Sequence, residues 1–132
     1  MPRYFTRAEA EALLPRVEPL LREMQALRAE LAAHEERLAG QRIKAQGNGH
    51  SGPGAVARHH AEIAALGERV MQRIAEIDEI GITVKDLDMG LIDFPCLRDG
   101  REVYLCWKLG EPGIDWWHEI DAGYAGRQPL ED

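Results

Sequence analysis

Cysteine is scarce in this chain: Cys96 and Cys106 are the only two among 132 residues. They make neither a disulfide framework nor a CxxC pair of the metal or redox kind. Long apolar runs are missing as well, and nothing approaches the roughly 18 residues that a bilayer span requires. The opening Met1-Pro2-Arg3-Tyr4-Phe5 has neither the apolar stretch nor the small-residue cleavage site of a secretory signal. A cytoplasmic protein with no membrane contact is therefore expected. The P-loop, GxGxxG, HExxH and nucleophile-elbow signatures are all absent. That leaves no common catalytic motif, and the balance leans away from an enzyme. What is present is 45% hydrophobic and 30% charged residues, the composition of an ordinary globular domain. At this length one domain is expected, with a helical part at about 7–80, a β part at about 82–121 and an irregular tail at 122–132.

Charge is unevenly spread. The net charge is −7, and residues 81–132 carry most of it, with 5 Lys+Arg against 11 Asp+Glu. From Arg37 to His60 the basic residues Arg37, Arg42, Lys44 and Arg58 meet no acidic ones. Four scattered cations in an acidic chain fit a solvated loop better than the clustered cations that phosphate binding needs. Nucleic acid is not an expected partner.

The first half has the pattern of two helices. Thr6-Arg7-Ala8-Glu9 is a capping box, so a helix should start near Arg7. Leu13, Val17, Leu20, Met24, Leu27, Leu31, His34 and Leu38 follow at alternating spacings of four and three, a coiled-coil-like heptad seam. Pro15 and Pro19 each remove a helical hydrogen bond, which predicts a break near Leu14 and a kink at Pro19. Gly40 suits the helix end. Gly47 to Gly54 is turn chemistry throughout. A second helix is predicted from about Ala55 to Ile80, with Val56, His60, Ile63, Gly67, Val70, Ile74 and Ile77 as its seam and Gly81 as its left-handed cap. Two such helices make an antiparallel hairpin about 38 Å long. A turn near Gly47 sets His34 and His60 in one layer. Leu14, Leu21, Leu66 and Met71 widen the apolar stripe beyond one seam, and another subunit is expected to cover the surplus.

The second half has the pattern of a small antiparallel sheet. Asp99-Gly100 is a two-residue hairpin turn. It pairs Cys96 with Val103, Phe94 with Leu105 and Ile92 with Trp107 on an apolar face, and Asp93 with Cys106 on the other. The two cysteines then point apart, which excludes a disulfide between them. A strand from Ile114 to Ile120 returns after the turn Gly110-Glu111-Pro112-Gly113. In its simplest register Trp116 joins Trp107 on the core face, with Trp117 and Glu119 opposite. A slip of one residue would exchange these faces. Ile82-Thr83-Val84-Lys85 adds a short further strand. The whole is α+β: a long antiparallel helical hairpin packed on a three- to four-stranded antiparallel sheet.

Functional residue types crowd the C-terminal part. Asp93, Trp107, Glu111, Trp117, His118, Glu119, Asp121 and Arg127 combine one imidazole, several carboxylates, a guanidinium and aromatic walls. Such a set suits a small ligand or protein partner, a metal ion, or acid–base work. In the plainer alternative the tryptophans fill a small core, His118 is hydrogen-bonded within it and the acids face water. For metal, the other candidates are His34 and His60, which need further ligands from Glu30, His59 or a second subunit. Cys106 has no basic neighbour in sequence to lower its pKa and is expected to be structural.

Val84-Lys85-Asp86-Leu87-Asp88-Met89-Gly90-Leu91-Ile92-Asp93-Phe94-Pro95 resembles a bacterial family catalogued as domain of unknown function 2203. So do Leu105 to Pro112, Trp117 to Arg127, and the opening Tyr4-Phe5-Thr6 with Leu13-Leu14-Pro15. The resemblance covers nearly the whole chain and implies a small bacterial protein, without bringing an activity. The expected function is non-enzymatic: self-association through the hairpin as a homodimer or larger homo-oligomer, and recognition of a protein or small molecule by the C-terminal cluster. A metal-binding protein or metal-dependent enzyme using that cluster is one alternative, with the cofactor unspecified. A transcription- or ribosome-associated factor probing with Arg37, Arg42 and Lys44 at the hairpin tip is the other.

Overall fold

The capping box forms as its spacing predicts. Thr6 Oγ1 accepts the Glu9 N–H at 3.1 Å, and Glu9 Oε1 accepts the Thr6 N–H at 2.9 Å. The bond from the Thr6 backbone holds the Glu9 carboxyl below its usual range. The structure, a computed structural model, describes residues 3–46 and 54–131. Its elements are two helices, α1 (Arg7–Gln46) and α2 (Ala55–Ile80), then strands β1 (Thr83–Asp86), β2 (Leu91–Arg98), β3 (Arg101–Lys108), β4 (Trp116–Glu119) and β5 (Gln128–Pro129). A single 3-10 turn at Tyr124–Gly126 precedes β5. No described helix is long and apolar enough to cross a membrane. The expected turn at Gly47–Pro53 and the side chains of Arg42 and Lys44 lie outside the described residues.

The expected break near Leu14 does not occur. One helix runs through Pro15 and Pro19. Proline's fixed φ is already helical, and both prolines are exposed, where water can take the carbonyls that lose their helical bond. Nor does Gly40 end the helix, since glycine inside a helix costs only about 1 kcal/mol relative to alanine. The end of α2 follows expectation. Gly81 has φ 103°, its N–H donates to Asp78 O, and the Ile82 N–H reaches back to Ile77 O at 3.3 Å. This is a Schellman closure.

The chain forms two compact units, residues 1–22 with 74–132 and residues 23–73, and both helices run from one into the other. In the unit of residues 23–73, α1 and α2 lie antiparallel. Glu23 pairs with Arg73 at 3.0 Å, and His34 Nδ1 lies 3.3 Å from His59 Nδ1. His59, not His60, thus shares the layer of His34. Leu21 and Leu66, expected beside the seam, are buried, whereas Leu13 and Leu20 are only half-buried. A helix of 3.6 residues per turn drifts off a strict 3.5-residue stripe over this length.

The other unit holds an antiparallel meander in the order β1-β2-β3-β4-β5. It has five strands against the three or four expected, because the tail is not irregular throughout: Gln128 and Pro129 pair with Trp117 and Trp116. Asp99 and Gly100 take φ of 53° and 78°, and the β2–β3 register is the predicted one at every pair, Asp93↔Cys106 included. Ile92, Phe94, Val103, Leu105 and Trp107 bury their side of the sheet. Phe5 meets Phe94 edge-on there, with ring centres 5.5 Å apart.

The β3–β4 register departs by one residue from the simplest expectation. Cys106 faces Trp116 and Leu105 faces Trp117, so Trp117 joins the apolar face while Trp116 and His118 turn to the other. The cause lies outside the turn. Glu11 on α1 accepts the Ile114 N–H at 3.0 Å, Arg7 pairs with Asp115 at 2.8 Å, and Ile114 is fully buried. These contacts delay the strand to Trp116 and fix which side it shows.

Gly90 (φ 65°) is placed so that an added methyl would overlap the Leu109 side chain, whose N–H bonds to Gly90 O. Gly90→Ala should cost about 2–4 kcal/mol, combining left-handed strain with overpacking. Gly100→Ala meets open space and should cost only about 1–2 kcal/mol. Urea unfolding of the two variants checks the ordering.

Candidate functional site

On the sheet face opposite the apolar one, β2 supplies Asp93, β3 supplies Tyr104 and Cys106, and β4 supplies Trp116 and His118. Their registers bring an acid, a thiol and an imidazole to one point. His118 Nε2 lies 2.9 Å from Asp93 Oδ1, reaching across β3. The Cys106, Asp93 and His118 ligand atoms all lie within 4.8 Å of one another. Exposures of 0%, 1% and 2% respectively leave them sealed from solvent.

His118 is fixed at both ends. Its Nδ1 lies 2.7 Å from Glu119 O, which accepts only, so Nδ1 carries a proton. The Nε2–Oδ1 contact needs one proton more, held by ring or carboxyl. The pair is therefore neutral overall. Tyr104 closes over the imidazole with ring centres 5.5 Å apart, and Lys85 Nζ stands 5.4 Å above the Tyr104 ring. Asp93 Oδ2, by contrast, is buried with no N–H or O–H donor among the described residues; what stands against the carboxyl there is the weak S–H donor of Cys106. Such an atom ordinarily costs about 1–3 kcal/mol. Burial pushes the Cys106 thiol up to about 12; the Asp93 charge adds to the rise and Arg127 opposes it. At neutral pH this cysteine is a protonated thiol and no nucleophile.

The other candidate residues divide. Glu111 and Arg127 form a close pair beside the cluster: one Arg127 nitrogen contacts both carboxylate oxygens, at 2.7 and 2.9 Å, and Cys106 O at 3.4 Å. Burial works against the Arg127 charge, yet the Glu111 hydrogen bond leaves its pKa raised. The Arg127 guanidinium lies 4.9 Å from the Trp116 ring centre. Glu111 also accepts the Lys108 N–H at 2.7 Å and so shapes the turn. Trp107 and Trp117 belong to the apolar face and do not wall the cluster. Glu119 pairs with Arg101 at the surface at 2.6 Å, and Asp121 is exposed. Tyr104 and Trp116 were not among the expected site residues, and Cys106 was expected beside Asp93 only as a structural cysteine. Cys106 was legible, because the Asp99-Gly100 turn already sets it opposite Asp93. Tyr104 shares that face by alternation with Cys106; that His118 and Trp116 join it follows only from the β3–β4 register.

The protein is thus an α+β chain with a sealed Asp–Cys–His cluster inside its sheet. Residues 3–130 match the model of a family described as an uncharacterized conserved protein, DUF2203, and the chain belongs to that family. No curated protein and no solved structure matches it.

In the presence of a chelator, His118→Ala should cost about 3–5 kcal/mol, since it leaves the Asp93 carboxyl buried without its partner. The double change Asp93→Val with His118→Leu should recover much of that loss. Urea unfolding of both variants reads this non-additivity. Thiol labelling should modify the half-buried Cys96 well before Cys106.

Proposed function

We propose that this is a non-enzymatic metal-binding protein of the bacterial cytoplasm, holding one divalent transition ion between Asp93, Cys106 and His118. The observation that carries the reading is the buried Asp93 carboxyl, whose Oδ2 meets no N–H or O–H donor among the described residues, set beside a thiol and an oriented imidazole. One sulfur, one imidazole nitrogen and a carboxylate are a donor set that Zn2+ takes. The second carboxylate oxygen offers a fourth donor. The Nδ1 bond to Glu119 O is the kind of outer contact that fixes a ligating histidine.

Charge balance favours a divalent ion. Without metal, the cluster holds one proton on Cys106 and one between Asp93 and His118. An ion bound by thiolate, carboxylate and bare Nε2 replaces both. Two positive charges leave and two arrive, so the buried site stays neutral, as a low-dielectric interior requires. The same burial keeps external substrates from Asp93 and His118, which is why the reading is a binder and no catalyst. Two free cysteines suit a reducing compartment.

The protein also self-associates through the helices of residues 23–73. Met71 stands 65% exposed there, with Ile63 and Val70 half-buried. A second copy would cover them.

Competition titration with a zinc chelator should find one tight Zn2+ equivalent, lost or much weakened in Asp93→Asn, Cys106→Ser and His118→Gln. A parent that holds no more Zn2+ than these variants would end the proposal. Binding should release about two protons per ion in weak buffer at pH 7. With the thiol raised to about 12, deprotonation always opposes binding at neutral pH. The apparent affinity should therefore rise with pH, by about tenfold per unit from this proton alone. Sedimentation equilibrium at micromolar concentration should give a mass above the 14.8 kDa of one chain.

A further inference from the structure

A second group of metal-ligand side chains lies in the unit of residues 23–73, apart from the cluster in the sheet. His34 projects from α1. His59 and Glu62, three residues apart, share one face of α2. His34 Nδ1 is 3.3 Å from His59 Nδ1 and 2.9 Å from Glu62 Oε2. All three ligand atoms lie within 4.8 Å of one another. The His34 side chain is 18% exposed and that of Glu62 52%, so the group is open to water on one side.

The distances carry information. An ion bound tetrahedrally by imidazole, with bonds of about 2.0–2.1 Å, holds two ligating nitrogens about 3.3–3.4 Å apart. The two Nδ1 atoms already stand at that separation. His34 Nδ1 also faces the Glu62 carboxylate and His59 Nδ1 at once, and a single proton on it can serve only one of these contacts fully. A cation at their common focus would satisfy all three atoms. Imidazole with carboxylate is a borderline donor set, suited to Zn2+, Co2+, Ni2+ or Cu2+ rather than to Mg2+ or Ca2+.

From this we infer that His34, His59 and Glu62 form a second, water-accessible site for a divalent transition ion. The bound ion links α1 to α2 across 25 residues of sequence. It completes its coordination with water and exchanges readily, unlike an ion sealed within the sheet. Because it joins two helices that are otherwise held by side-chain packing and ion pairs such as Glu23–Arg73, occupancy stabilises the paired arrangement by mass action. The site stands on its own geometry and does not depend on the sheet cluster being a metal site.

Cobalt separates the two. Co2+ at Cys106 gives a thiolate-to-metal charge-transfer band in the near ultraviolet, whereas Co2+ on histidine and carboxylate gives only visible ligand-field bands. The parent should bind one Co2+ equivalent that adds no charge-transfer intensity. That equivalent should be lost in His34→Gln and in His59→Gln and weakened in Glu62→Gln. His60→Gln should keep it, since His60 lies outside the group. Far-ultraviolet dichroism checks that each variant retains its helices; the Glu62 side chain is more than half exposed, so its variant reads the site even if a histidine variant unfolds. In the parent, saturating Co2+ should raise the thermal midpoint of the helical signal, and His34→Gln should abolish that shift. A parent lacking this equivalent, or histidine variants that bind as the parent does, would overturn the inference. So would equal loss in His60→Gln. Absence of the charge-transfer band alone would count against the sheet site and leave this one standing.

Discussion

Asp99 and Gly100 reverse the chain in two residues with positive φ at both, a geometry that matches the right-handed twist of the strands it joins. The central pair of strands depends on that reversal. It fixes the β2–β3 register, and the register decides which side chains meet. Ile92, Phe94, Val103, Leu105 and Trp107 fall on one side and build the core. Asp93 and Cys106 fall on the other, across from each other. Shifting the pairing by one residue would send the acid into the core and the tryptophan out of it. The turn therefore sets both the core side of this strand pair and the meeting of Asp93 with Cys106.

Much of this was legible in the sequence because the determinants are local. The capping box at Thr6–Glu9, the bounds of α2, the left-handed cap at Gly81 and each β2–β3 pair depend on residues a few positions apart. What was not legible depended on contacts from far along the chain. The β3–β4 register looks free when only the Gly110–Gly113 turn is considered, and it is set instead by Glu11 and Arg7 on α1. Half of the candidate cluster hung on it. Asp93 and Cys106 could be paired from sequence, but His118 reaches them only because β4 shows the side that the simplest turn would not. The helix through Pro15 and Pro19 is another case. Propensity argues for a break, and burial of Ala10, Val17 and Leu21 on either side of the prolines outweighs it.

The two groups of ligand atoms illustrate opposite ways of treating charge. Asp93, Cys106 and His118 are almost wholly removed from water, so their protons and any ion must balance. His34, His59 and Glu62 keep contact with solvent, which screens a residual charge and permits exchange. Arg127 shows a third solution near the first group. Its guanidinium is held by Glu111 and faced by Trp116 and Tyr124, which lets a cation lie beside the buried thiol.

The contact between Glu11 and Ile114 spans 103 residues. During synthesis the carboxylate that will position β4 emerges 103 residues before its partner. Until then the first turns of α1 have no β4 to anchor. The closure that completes the sheet is thus a late event in vectorial production, whatever the speed of its local elements. A chain truncated before Ile114 retains the Asp99–Gly100 hairpin in its sequence yet carries no β4, no His118 and no seal over the face of Asp93 and Cys106. In a stalled or prematurely released product, the Asp93 carboxyl and the Cys106 thiol would be left open to the cell.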